Sequence, residues 1–374
     1  MNDLKLNEFA ESIPTYWKEY LDNKIKTIHH KQIASGITSS SFGLVTDMHL
    51  GVVHPDCNTN RFHSPALLKK VMDDCDIPYF FNAGDVFAGH GLCTKDINIA
   101  DFIACKKLFK NIESKCLIAE GNHDAIFSEF EVPDYYAQNM SLAEFYEYYF
   151  KFEAQYSDRH FGFDGTYYYV DMIFQKTRLI VLNTHDIPDD CIDAQGRPMY
   201  NKFRANGTGI MQEQLDWFAH VALCVPSPEW TVVLCTHESP ASVGRDGICN
   251  FGIIHDIINA FRHHSNFQGK SEYDNGREHY NSEICVDYTD CGGNFALWVS
   301  GHSHFDTSVV IEGILSVATL NDSMHNSDNS KFKHIEGTTS EQAFDIFTLD
   351  KLNHKIYVTR IGCGEDREFT YEVF

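Results

Sequence analysis

Short apolar runs alternate with helix-spaced segments along most of this chain, and the alternation predicts its layers. Residues 1–35 place Leu4, Phe9, Ile13, Trp17 and Leu21 at helical spacing, with Pro14 interrupting. Next come a strand at Ser41–Thr46, a helix at Pro65–Asp74, a strand at Pro78–Ala83, a helix at Ile97–Asn111 and a strand at Cys116–Glu120. Strand-helix repetition at this period favours a sheet covered by helices, an α/β chain. Ligands of such sheets collect at the carboxyl ends of the strands.

The pattern breaks twice. Residues 125–155 form an insertion rich in Tyr and Phe, with a capping box at Ser141-Leu-Ala-Glu144. Strands resume at Thr166–Val170 and Thr177–Asn183, then a helix at Gln212–Cys224 and a strand at Thr231–Cys235. A second insertion, 239–293, holds a helix from Ile253 to Phe261 and a polar stretch, Gly269–Asn281. Further strands lie at Phe295–Ser300, Ser308–Ile311, Ile314–Ala318, Ala343–Leu349, Lys355–Ile361 and Glu368–Phe374. The economical organisation is a helical segment, 1–35, leading into one domain, 36–374, that carries both insertions.

Composition narrows the function. The net charge of −23 repels nucleic acid, so duplex binding is disfavoured while a small anionic ester at a cationic site is not. No apolar run approaches the roughly 18 residues of a membrane span, and the N-terminus lacks a secretory h-region. Twelve cysteines contain no C-x-x-C pair, and several sit inside apolar runs. They read as buried reduced thiols of a cytoplasmic protein.

Five blocks carry the chemistry: Asp47-Met48-His49, Gly84-Asp85, Gly121-Asn122-His123-Asp124, His237, and Gly301-His302-Ser303-His304. Alone, each reads as a loop, a turn or a satisfied histidine. Together they are ordered along the chain, and each comes just after a predicted strand. Asp47, His49, Asp85, Asn122, His237, His302 and His304 are too many ligands for one ion. They suit two divalent ions sharing a carboxylate, the clamp of phosphate-ester hydrolysis. Oxygen and imidazole donors without thiolate favour Mn, Fe or Zn. On an extended segment residues i and i+2 point the same way, so Asp47 and His49 reach one ion, and His302 and His304 repeat the spacing.

The set resembles the calcineurin-like metallophosphoesterase superfamily, with signature D-x-H, G-D, G-N-H-[DE], H, G-H-x-H filled at every position from Asp47 to His304. The resemblance implies a β-sandwich flanked by helices, with metals at the carboxyl ends of strands. It implies one ion on Asp47, His49 and His304, a second on Asn122, His237 and His302, and Asp85 bridging. It further implies attack by metal-bound hydroxide, with His123 protonating the leaving group. Asp124 either orients His123 or caps the segment after it.

The residues after Asp85 depart from two subgroups. The protein-phosphatase extension G-D-x-x-D-R-G is absent, and Ala88 stands where purple acid phosphatases place a metal-binding Tyr. The form is more similar to class III cyclic-nucleotide phosphodiesterases and to bacterial and phage phosphoesterases. The expected activity is hydrolysis of a small phosphodiester or phosphomonoester; a nuclease and a non-catalytic scaffold are the alternatives. Arg245 is a candidate phosphate clamp or a solvated loop arginine. His54 and His90 are candidates for the mouth of the site. Phe145, Tyr146, Tyr148, Tyr149, Phe150 and Phe152 either stack a base or pack a helix. The sequence leaves the oligomeric state open.

Overall fold

Strands β1 (Ser40–Val45), β2 (Phe80–Asn82) and β3 (Cys116–Ile118) run parallel. The sheet extends antiparallel from β1 through β13 (Ala343–Asp350), β14 (Lys355–Gly362) and β15 (Arg367–Thr370). A second sheet is centred on four parallel strands, β12 (Ile314–Ala318), β10 (Asn294–Ser300), β7 (Thr231–Cys235) and β6 (Thr177–Val181). Antiparallel edges complete it: β11 (Thr307–Ile311) on one side, β5 (Tyr168–Met172) and β4 (His160–Phe161) on the other. The computed structural model describes Glu8 and residues 10–51, 62–86, 95–124, 142–151, 155–187, 209–274 and 276–374.

Alternation along the second sheet shows why its strands read as unbroken apolar runs. Leu179, Val181, Val233 and Cys235 share one buried cluster with Phe42, Leu44, Phe81 and Ile346 of the first sheet. Their neighbours Ile180, Val232 and Leu234 point the other way, into a cluster with Leu215, Phe218, Ile254 and Phe261 of the covering helices. Both faces are buried, so period-2 polarity vanishes. The result is a β-sandwich flanked by helices.

Glu8 and Ala10 are helical, the helix breaks at residues 12–14, and helix α1 (Thr15–Ala34) starts directly after Pro14, its N-cap residue, so Pro14 interrupts the segment as expected. Proline's missing N–H costs nothing at a helix start. Trp17, Leu21, Ile25 and Ile28 bury one face of α1, each contributing about 1.5–3 kcal/mol. Helices α2 (Ser64–Asp74), α3 (Lys95–Lys106) and α4 (Leu142–Tyr149) come next in order. The helix predicted from Gln212 to Cys224 is α5 (Gln212–Trp217) running into a π turn at Phe218–Ala222. After the short α6 (Pro240–Val243) comes α7 (Phe251–Arg262).

An antiparallel ribbon, β8 (Asn266–Ser271) with β9 (Ser282–Asp287), begins ahead of the polar stretch and has no counterpart among the predicted strands. β8 offers a single large apolar residue, Phe267, so its periodicity is faint. Among the described residues no helix is long and apolar enough to cross a membrane and no disulfide occurs; Cys224, Cys285 and Cys291 are exposed thiols, not the buried ones expected.

Candidate metal centre

The sandwich brings the carboxyl ends of β1, β2 and β3 to the same edge as those of β7 and β10. Backbone bonds stitch the loops beyond them: Asp47 N–H donates to Gly84 O and His49 N–H to Asp85 O, both at 3.0 Å. Gly301 N–H donates to His237 O, also at 3.0 Å. The sheets are joined by the His237 ring, whose Nδ1 donates to the Ala83 carbonyl at 2.6 Å. That bond fixes the tautomer and leaves Nε2 as the ligand atom.

Two donor groups result. In the first, Asp47, His49, Asp85 and His304 each offer an atom within 4.8 Å of the others. His49 Nε2 and His304 Nε2 lie 3.0 Å apart, and Asp47 Oδ1 sits 3.2 Å from His304 Nε2. In the second, Asn122 Oδ1 is 3.0 Å from both His237 Nε2 and His302 Nδ1. Asp85 Oδ2 lies between, 3.7 Å from His49 Nε2 and 3.5 Å from His237 Nε2. Two atoms sharing an ion at about 2.1 Å are roughly 3.0–3.5 Å apart, so these spacings fit cations.

The electrostatics fit as well. Among the described residues Asp47 Oδ1, which is buried, takes no hydrogen bond, whereas Oδ2 accepts from Thr46 Oγ1 at 2.7 Å and His302 N–H at 2.9 Å. Against its burial, His304, His237 and His49 hold the Asp47 carboxyl well below its ordinary range. Burial first, then the charges of Asp47 and Asp124, push Asp85 well above it. His237 is raised to about 9: burial opposes the shift, and Asp85, Glu238 and Asp47 drive it. A divalent charge among these groups relieves the repulsion between the carboxylates.

The ligand pairs are not extended, contrary to their spacing. Asp47, His49, Asp85, His302 and His304 all have positive φ, between 45° and 70°. They sit in left-handed turns, at about 1–3 kcal/mol each for non-glycine residues. His302 and His304 consequently diverge: His302 joins Asn122 and His237, and His304 joins Asp47 and His49. The block glycines answer close approach. A Cβ on Gly121 would strike the Asp85 backbone and carboxylate, and one on Gly301 would strike Thr46 and Asp47.

His123 is partly exposed, its ring edge-on to His49 with centroids 4.8 Å apart. Its N–H donates to Asp85 Oδ1 at 2.7 Å. Asp124 is buried, and its bonds bind backbone: Oδ2 accepts from Asp85 N–H at 2.7 Å, Gly121 N–H at 2.8 Å and the Tyr149 phenol at 2.8 Å. Oδ1 accepts from Val86 N–H at 2.8 Å. Burial pushes the Asp124 carboxyl up to about 6.

Arg245 reaches Asp256 at 3.2 Å and Asp246 at 3.7 Å. That places it over α7, where a third donor group, His255, Asp256 and Glu312, is engaged by Ile311 O, Arg245 and Asn259. His54, His90 and Ser141 lie outside the described residues. Of the insertion aromatics, Tyr149 and Phe150 are fully buried and Tyr146 and Tyr148 pack against the core, as a helix face does.

Sequence reasoning missed three residues. Glu238 groups with His237 and His302, His185 lies 3.0 Å from Glu238, and the His325 ring stands 5.5 Å from that of His304. For His185 a signal existed, since it comes after β6 as the ligands come after their strands.

The family model described as calcineurin-like phosphoesterase matches residues 40–306. The chain belongs to that family, and with it to the enzymes that cleave phosphoesters. No curated protein matches it. Among solved structures it is similar to GAP50, the anchor in the inner membrane complex of Plasmodium, at 9% identity and TM-score 0.44, covering 90% of this chain and 89% of that one. It is similar to purple acid phosphatase PPD1 from yellow lupin at 12% identity and TM-score 0.45, covering 90% and 54%. A third is the phosphopantetheinyl hydrolase of Mycobacterium tuberculosis, at 12% identity and TM-score 0.32, covering 77% and 90%.

Proposed function

We propose that the chain hydrolyses a small phosphodiester or phosphomonoester at a site for two divalent cations, Mn, Fe or Zn. The observation that carries this is Asp85 Oδ2, set between the two imidazole groups. Asp47, His49 and His304 would hold one cation and Asn122, His237 and His302 the other, with Asp85 shared. When bound, such a pair supplies Lewis acidity that activates water and offsets charge on the phosphate oxygens. His123, partly exposed beside His49, is placed to give a proton to the leaving alkoxide. Asp124 acts as a positioning residue, holding the Asp85 and Gly121 loops together. Arg245 stays a candidate phosphate contact only if substrate draws it from Asp256.

The acidic surface supports a small ester over duplex nucleic acid. Described cysteines that stand as thiols rather than disulfides support a cytoplasmic location. The test is turnover of bis-p-nitrophenyl and p-nitrophenyl phosphate with added Mn²⁺. Activity should require the cation and fall about 10²–10⁴-fold in His123→Ala with cation content intact. Unchanged turnover in that variant removes His123 from the chemistry, and nicking of single-stranded DNA with inert small esters would favour a nuclease.

A further inference from the structure

The two donor groups are unequal in charge. The first holds two carboxylates, Asp47 and Asp85, beside His49 and His304. The second has only the shared Asp85; its other donors, Asn122, His237 and His302, are neutral when they ligate. Beside that second group lies Glu238, which offers a carboxylate oxygen within 4.8 Å of a ring nitrogen of both His237 and His302. It is 2% exposed, in a wall where His185, Thr184, Thr236 and His237 are fully buried.

Two further polar neighbours hold it. His185 Nε2 lies 3.0 Å from Glu238 Oε1, and the Thr184 hydroxyl donates to Oε2. His185 is set in turn by its own N–H, which donates to Asn183 Oδ1 at 2.8 Å. Its ring stands 6.0 Å from that of His237. His237 Nδ1 is already held by Ala83 O, so Glu238 acts on the rings through its charge; loss of a carboxylate that supports ligating imidazoles typically costs about 10–100-fold in metal affinity.

We propose that Glu238, clamped by His185, is a positioning residue for the second cation site and supplies the negative charge its donors lack. This rests on the two-cation reading above. The experiment is calorimetric titration of the chelator-treated full chain with Mn²⁺, for wild type, Glu238→Gln and His302→Asn. Wild type should bind two ions; fewer than two overturns the two-cation reading and this inference with it. Glu238→Gln keeps the shape and the oxygen facing Thr184 but removes the charge. It should weaken one affinity at least about tenfold, the same one His302→Asn abolishes, and leave the other within about twofold. The thermal midpoint of its metal-free form should match wild type, which a merely structural role would not permit. Two unchanged affinities, or equal weakening of both, overturn the inference. If Glu238→Gln fails to fold, His185→Gln, which loosens the clamp, should weaken the same affinity; no effect there overturns it.

Discussion

The Tyr149 phenol donates to Asp124 Oδ2 at 2.8 Å, and that same oxygen accepts the backbone N–H groups of Asp85 and Gly121. One fully buried hydroxyl on α4 is thereby tied to the loop carrying the shared carboxylate. Its oxygen also lies 3.0 Å from Ala119 O, just past β3, so the single phenol proton has a second acceptor within reach. Tyr149→Phe should lower stability by about 1–2 kcal/mol, because buried acceptors lose a donor. Asp124→Ala, which strips partners from three N–H groups, should cost more, about 3 kcal/mol or above. Urea unfolding at about pH 7.5 would check the order; a tyrosine variant as damaging as the aspartate variant would contradict this hierarchy.

Gly301 sits where its block presses on β1's end. Gly301→Ala should displace the Thr46–Asp47 pair, with a stability loss of about 1–3 kcal/mol and weakened Mn²⁺ binding. Denaturant midpoints and cation titration together test this. Wild-type values for both would show that the loop yields freely.

Cations that bind only the folded chain raise its stability by mass action, about 2.7 kcal/mol per site at a hundred times Kd. Thermal unfolding should therefore shift upward with Mn²⁺ and return with chelator. His49→Ala should shrink the response. An identical response in that variant would exclude His49 from the first donor group.

Burial first, then the nearby Asp164, raises Asp186 to about 7. Its Oδ2 accepts from Met211 N–H and Gln214 Nε2, both at 2.9 Å. Since an unfolded aspartate titrates near about 3.9, its contribution to stability is fully present below pH about 4 and is lost as pH rises through about 7. Asp186→Asn keeps the neutral form, so it should exceed wild type by on the order of 2–4 kcal/mol at about pH 8, and the gap should narrow toward about pH 5. Denaturant unfolding at both pH values measures it; a constant gap would contradict the shift.

Much of the fold was legible because its signals are local. The runs at Thr231–Cys235 and Ile314–Ala318 became strands with those bounds. The β8–β9 ribbon and the two-residue β4 escaped, since polar or very short strands take their stability from partners rather than from their own pattern. The ligand types were equally plain, but their backbone was not. An Asp-x-His spacing says nothing of positive φ, which only the surrounding loops impose.

By itself the sequence determined the candidate donor residues, their order and their place at strand ends, since residue chemistry and hydrophobic period are written one position at a time. Only the tertiary structure decided that Asp47, His49, Asp85, His302 and His304 sit in positive-φ turns, that Asp124 binds the backbone of two loops, and that Glu238 and His185 stand beside His237. Those relations depend on two sheets packed face to face with their strand ends at one edge. Residues as far apart as Asp85 and His237, or Tyr149 and Asp124, become neighbours only when burial of both sheet faces fixes the register of the sandwich.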